Sequence, residues 1–196
     1  MKPICIIPAR GGSQRIPWKN IKTFHGKPII AYSIKVAQAS GLFSRVIVST
    51  DHESIATEVK WYGAEVWMRD PAYGHDDVGT QAVVKECLEG MGIKTGIACC
   101  IYATAPLMSV EDLKSGYGLL CSNGNLDYVL SVGYTPLPLH DAGQFYWGTV
   151  GAFLNKAPLI GEFTGMICID HCRDCDINTP EDWDRALKMY EALRNE

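Results

Sequence analysis

Residues 6–20 read IIPARGGSQRIPWKN. An apolar run stops at Gly11-Gly12 and Ser13, with Arg10, Arg15 and Lys19 crowded around them. A plain turn needs a glycine but no cations, and a solvated charged face has no use for paired glycines. A strand-like run followed at once by a glycine turn puts that turn at the strand's carboxyl end, where ligands of open sheets collect. Backbone N–H groups of the turn can approach an anion closely, and the cations can neutralise a triphosphate. The spacing matches neither the Walker phosphate loop nor the dinucleotide-binding fingerprint. The competing reading is a flexible surface turn.

Outward from this stretch, short β-rich runs alternate with helical patterns. Strands are expected at 4–7, 45–49, 64–68, 97–102 and 128–132, and helices at 28–40, 52–62, 79–90 and 110–121. The last helix is the clearest. Thr179 caps it, Pro180 takes the first helical position, and Trp183, Ala186, Leu187, Tyr190 and Leu193 repeat at helical spacing. Such alternation implies an α/β fold with a mostly parallel sheet covered on both faces. No repeat, low-complexity tract or linker interrupts the chain, so one domain over 1–196 is expected.

Bulk properties narrow the function. A net charge of −4 argues against a nucleic-acid binder working through a broad basic surface. No apolar stretch approaches the ~20 residues of a membrane span. Met1-Lys2-Pro3 runs straight into the first strand-like segment, so no leader is expected, and the eight cysteines read as reduced thiols of a cytoplasmic protein. Cys168, His171, Cys172 and Cys175 contain one C-x2-C pair, but a second pair of ligands at finger-like spacing is missing. A strand end followed by a cysteine-rich loop is the plainer reading. Asp170, Asp174 and Asp176 crowd the end of the strand-like GMICID, where loop chemistry ahead of a helix cap competes with magnesium binding.

Longer stretches carry a resemblance. IPARGGSQRIPWKNIKTFHGKPIIAYSI, VIVSTDHESIATEVKWYGAEV, CIYATAPL, HDAGQFYWG and DINTPEDWDRALKMY occur in that order. The chain resembles the cytidylyltransferases that activate nine-carbon acidic sugars, and among them those acting on pseudaminic acid. The resemblance implies a Rossmann-like three-layer sandwich and a reaction in which CTP is joined to the sugar's anomeric hydroxyl, with Mg2+ as cofactor. It implies that Arg10, Arg15 and Lys19 act on the triphosphate, with the backbone of Ala9, Gly11, Gly12 and Ser13 around the nucleotide. Asn20, Arg69 and Thr80 would lie near the cytidine, and Thr104, Ala105 and Pro106 between nucleotide and sugar. Asp141, Gly143, Gln144 and Tyr146 would shape the sugar pocket, and Asp176, Asp174 and Asn178 would face the metal. Without the resemblance, Arg69 reads equally as a surface cation, Asp76-Asp77 as a loop or cap pair, Gln144 and Tyr146 as strand residues facing solvent, and the aromatics beside them as packing.

The sequence departs from this family at three points. Gln14 stands where a lysine is usual, and Asn178 replaces the second aspartate of a D-x-D pair. Relatives also carry roughly thirty more residues after the strand ending near Val132, against the usual ~4–6 of a connection. In them this arm assists dimerisation and brings cations to the sugar carboxylate; here only residues 133–139 bridge the gap. A monomer, or a dimer built elsewhere, is expected. So are a more open sugar site, and either weakened catalysis, a related acidic sugar, or nucleotide binding without turnover.

Overall fold

The computed structural model describes residues 2–75, 78–133 and 139–195. The expectation for Asp76-Asp77 lies outside them. The chain begins with β1 (Ile4–Pro8), then a two-stranded ribbon of β2 (Thr23–Phe24) and β3 (Lys27–Pro28), then α1 (Ile30–Ala39), β4 (Arg45–Thr50), α2 (Glu53–Trp61) and β5 (Glu65–Met68). α3 (Thr80–Gly90), β6 (Ile97–Ile101), α4 (Val110–Ser122) and β7 (Tyr128–Gly133) follow. β8 (His140–Thr149), α5 (Val150–Asn155), β9 (Thr164–Ile169) and α6 (Pro180–Arg194) close the chain.

Seven strands form one sheet in the order β5-β4-β1-β6-β8-β7-β9. β1 pairs in parallel with β4 on one side and β6 on the other, so the direction of winding reverses between β1 and β6. A crevice opens at such a reversal, outside the carboxyl ends of the strands. The expected α/β architecture is thus present, with one antiparallel strand, β8, seated between β6 and β7.

Alternation along β1 separates two cores. Cys5 and Ile7 face α1, α2 and α4 through Ile34, Val59 and Leu113, all buried. Ile6 faces α3 and α5 through Val84, Leu88 and Phe153. Three layers result, as each face of a sheet must bury its apolar side against helices. A third cluster matters for the site. α6 lays Trp183 and Ala186 against Ile16, Phe24, Leu107 and Ile177, and so clamps the loop after β1. A capping box between Thr179 and Asp182 starts α6.

β8 is buried along most of its length. Its Phe145 and Trp147 are core residues, with Trp147 stacked on Phe43 and bonded to the Leu113 carbonyl. That bears out packing for these two aromatics; Gln144 and Tyr146 are buried as well and do not face solvent. Residues 142–145 stand opposite Ser131 alone, a bulge pinned by Phe145 N–H donating to Ser131 Oγ. Bulges re-aim side chains beside functional sites. Cys5, Cys87, Cys99, Cys100 and Cys175 are buried thiols, whereas Cys121 and Cys168 are exposed. Burial pushes the Cys87 thiol up to about 12.

Candidate active site

The crevice between β1 and β6 holds a cavity of about 240 Å³. Arg10, Arg15, Lys19, Arg69, Thr80 and Thr104 line it, along with Ser13 and Asn20. Each arrives from a different part of the fold. Arg10 follows β1, Arg69 follows β5, Thr80 opens α3 and Thr104 follows β6. Residues distant in sequence thus converge because the strands end together.

The loop after β1 is held from several sides. Asn20 donates from Nδ2 to the Arg10 carbonyl at 2.8 Å, and Gly11 N–H donates to Asp51 Oδ1 at 2.8 Å. Ala9 N–H donates to the Ser49 carbonyl and Ser13 N–H to that of Gly11. The amides of Ala9, Gly11 and Ser13 are therefore spent within the protein. The side chains of Arg10, Arg15 and Lys19 line the cavity beside them. Gly11 packs closely against the start of α2, since a Cβ there would stand 3.0 Å from the His52 side chain. Trp18 turns the chain in the left-handed region at φ 56, and its ring meets His52 edge-on at 4.7 Å. That turn delivers Lys19.

Lys19 donates to the Ile177 carbonyl at 2.8 Å. Burial lowers its pKa, neighbouring Asp176 opposes that shift, and Arg15 and Arg10 add to it. Arg15 is exposed and donates to Asn178 Oδ1 at 3.1 Å. Asn178 in turn donates to Asp176. The asparagine at the second position of the pair thus bridges a cation and a carboxylate. Gln14 is exposed on the same loop. Arg69 is 5% exposed, with Nε and Nη2 unpartnered among the described residues. Its Nη1 donates to the Tyr73 carbonyl at 3.4 Å, and the two remaining buried donors are costly unless a ligand supplies their partners.

Asp176 is a partly buried carboxylate whose pKa is raised, by burial above all. Asn178 and Lys19 pull it back, while Asp141 pushes it further up. Asp141 and Asp176 are therefore near neighbours, brought together by the β8 bulge. Gly143 there has φ 62, and a Cβ on it would stand 2.6 Å from Asp176 Cγ. Asp141 Oδ1 accepts from Gly143 N–H, and its Oδ2 accepts from Tyr146. Gln144 donates to the Arg173 carbonyl at 2.7 Å, and its Oε1 is buried without a partner among the described residues. Arg173 is fixed in turn by Asp112 at 3.0 Å.

Thr104 faces the cavity, while Ala105 and Pro106 are buried next to it in the chain. Asp174 is occupied by His140 at 3.1 Å, and the bonds of Asp176 run to Asn178 instead. Among the described residues no three His, Cys, Asp or Glu side chains gather to hold a metal ion. Cys168 is exposed, Cys172 half-buried and Cys175 buried along the segment from β9 towards α6. Sequence reasoning missed Tyr102, which lines the cavity and joins Tyr146 at 2.9 Å, and Asp51, which holds Gly11. Their positions at the ends of β6 and β4 were the available signal.

Cations and a buried guanidinium with two unpartnered nitrogens among the described residues line a crevice at the switch point of an α/β sheet. Residues 4–132 match the cytidylyltransferase family, and the chain belongs to it. The pseudaminic acid cytidylyltransferase of Campylobacter jejuni subsp. jejuni serotype O:2 is 33% identical, over 98% of this chain and 97% of the relative. The N-acylneuraminate cytidylyltransferase A of Danio rerio is 37% identical over 65% of this chain and 29% of its own length. Among solved structures, CMP:2-keto-3-deoxy-manno-octonic acid synthetase complexed with CTP superposes with a TM-score of 0.78 at 16% identity, covering 98% of this chain and all of that one. That likeness shows the fold. The alignment with the Campylobacter protein runs over 227 residues against 196 here, so about thirty positions lack a counterpart. Gly133 pairs directly with His140, which leaves residues 134–139 as the whole connection between β7 and β8.

Proposed function

We propose that this protein transfers CMP from CTP to the anomeric hydroxyl of a nonulosonic acid, pseudaminic acid, releasing pyrophosphate. The observation that carries the reading is the cavity beneath Arg10, Arg15, Lys19 and Arg69, in a chain that aligns end to end with a pseudaminic acid cytidylyltransferase. The sugar oxygen forms a bond to the α-phosphorus, the α–β bridging bond breaks, and the hydroxyl proton is released. Charge that builds on the phosphoryl oxygens meets fixed cations, so catalysis rests on positioning and electrostatics. Arg10, Arg15 and Lys19 take the triphosphate, and Asn20, Arg69 and Thr80 the cytidine. Asp141, Gly143, Gln144 and Tyr146 face the sugar across Thr104.

Magnesium is the divalent cation of this reading. The residues fit it: Asp176 is a carboxylate raised by burial beside a second one, Asp141, and hard cations need only one or two carboxylates plus phosphate oxygens. Asn178 adds a carbonyl oxygen that Arg15 now occupies. When bound, the ion neutralises phosphate charge. The continuous sheet supports one domain, and the buried thiols suit a reducing cytoplasm. No helix among the described residues is long and apolar enough to cross a membrane.

A second reading, nucleotide binding without turnover, is favoured by exposed Gln14 and by Asn178 in place of an acid. Pyrophosphate release from CTP and Mg2+ with a panel of acidic sugars separates the two. Release with pseudaminic acid, rising in Gln14→Lys, is expected. A CTP-dependent melting shift with no release on any sugar would instead establish the binding protein.

A further inference from the structure

Both ends of the loop that carries Arg15 lean on one side chain, His52. At the near end, Gly11 N–H donates to Asp51 Oδ1 at 2.8 Å, and a Cβ on Gly11 would stand 3.0 Å from His52 Cβ and Cδ2. At the far end the Trp18 ring meets the His52 ring edge-on, with centroids 4.7 Å apart. Trp18 then sends the chain into the turn of Lys19–Ile21, its carbonyl accepting from the N–H groups of Ile21 and Lys22 at 2.9 Å. His52 itself is fixed from the other side. Its Nδ1 accepts from Ser54 N–H at 3.1 Å as the N-cap of α2, and its own N–H donates to Thr50 Oγ1 at 3.2 Å. The ring is therefore set by the scaffold, and the loop is set by the ring. Trp18 is a bulky residue at φ 56, where a side chain is strained, yet it stays 46% exposed, so burial does little to offset that strain. Strain persists where the surroundings impose it. Here the ring contact with His52 imposes it.

We infer that His52 and Trp18 are positioning residues that hold Arg15 and Lys19 at the triphosphate. The inference rests on the CTP reading above and deepens it. Neither residue is among those that line the cavity, so both act through the cations. Arg15 lies between the two pinned ends, and Lys19 directly follows the second. Cations stabilise phosphoryl charge only while they stay in place, and a small displacement of a positioned group is costly. The loop is gripped from the opposite side as well, where Arg15 reaches Asn178 and Lys19 the Ile177 carbonyl. His52 opposes those contacts, so that the loop cannot swing away from the cavity.

CTP and CMP, which lacks the β- and γ-phosphates, are titrated calorimetrically without sugar. The proteins are the native chain, Trp18→Asn, Trp18→Phe, His52→Asn and the double variant Trp18→Asn with His52→Asn. Asparagine tolerates the left-handed region at position 18 and caps a helix at position 52, so each change removes the ring contact and keeps the backbone. Native protein is expected to prefer CTP. In Trp18→Asn and in His52→Asn the CTP:CMP affinity ratio falls roughly fivefold. Trp18→Phe keeps an aromatic edge against His52 and a native ratio. The double variant falls no further than His52→Asn alone, because one contact carries both effects. A merely structural role weakens both nucleotides alike. An equal loss for both nucleotides, a ratio unchanged in the single variants with CTP still bound, or falls that add in the double variant overturn the inference and leave the proposed function standing. Native protein that binds neither nucleotide overturns the proposed function, and this reading with it.

Discussion

Lys19 illustrates how single residues are tuned here. Burial removes water from its ammonium group, and Arg10 and Arg15 repel it, so its pKa lies below the ordinary 10.5 despite the pull of Asp176. The sign follows directly. A lysine depressed in the folded state costs stability while it stays charged, and that cost is relieved as pH rises through its folded pKa toward 10.5. A bound polyanion relieves it at neutral pH instead. CTP affinity is therefore expected to fall as pH rises through a window beneath 10.5, and Lys19→Arg should move that fall to higher pH. Lys19→Ala should weaken CTP by about 10–100-fold at neutral pH, measured by titration calorimetry. At this scale the sequence was readable for charge and unreadable for commitment. Arg10, Arg15 and Lys19 announced themselves by their crowding. That the amides of Ala9, Gly11 and Ser13 would be used up by Ser49, Asp51 and the loop itself depended on partners far along the chain. Asp51 gives no local sign that it will reach back to Gly11.

Elements differed in how plainly they could be read. β1 and α6 each carry a pattern that only one structure satisfies: an apolar run stopped by glycine, and a capped helical stripe beginning with proline. β8 did not, because it is buried on both faces and kinked by a bulge, so no period of two survives in HDAGQFYWG. The six residues of α5 are too few for a helical period to emerge. Yet the bulge is what turns Asp141 toward Asp176. Gly143 sits at its bend with φ 62, and any side chain there would press on the Asp176 carboxylate. Gly143→Ala is expected to cost about 1–3 kcal/mol of stability through left-handed strain. It should also displace Asp176 and lower kcat, while CTP binding at the opposite wall changes little. Thermal melts and steady-state kinetics check both. Equal loss of CTP affinity would show that the bulge and the nucleotide loop move together.

For the whole molecule, the winding reversal between β1 and β6 decides where chemistry gathers; alternating strands and helices announced the parallel sheet and its carboxyl edge, but not the strand order that sets the reversal. The antiparallel insertion of β8 was hidden, since strand order depends on long-range pairing and not on composition. The direct pairing of Gly133 with His140 also leaves no room for an arm between β7 and β8. Self-association, where it occurs, must use another face. Light scattering should return the same mass for the native chain and for Leu139→Lys, a charge placed on an exposed residue just ahead of β8. A change in mass would put the contact at the connection after all. The uneven distribution of sulfur has a practical side. Five thiols are shut inside the packed layers, whereas Cys121, near the end of α4, and Cys168, on β9, stand in solvent. A maleimide dye will therefore mark the native fold at defined surface points, and the sudden appearance of extra reactive sulfur will report unfolding as it happens.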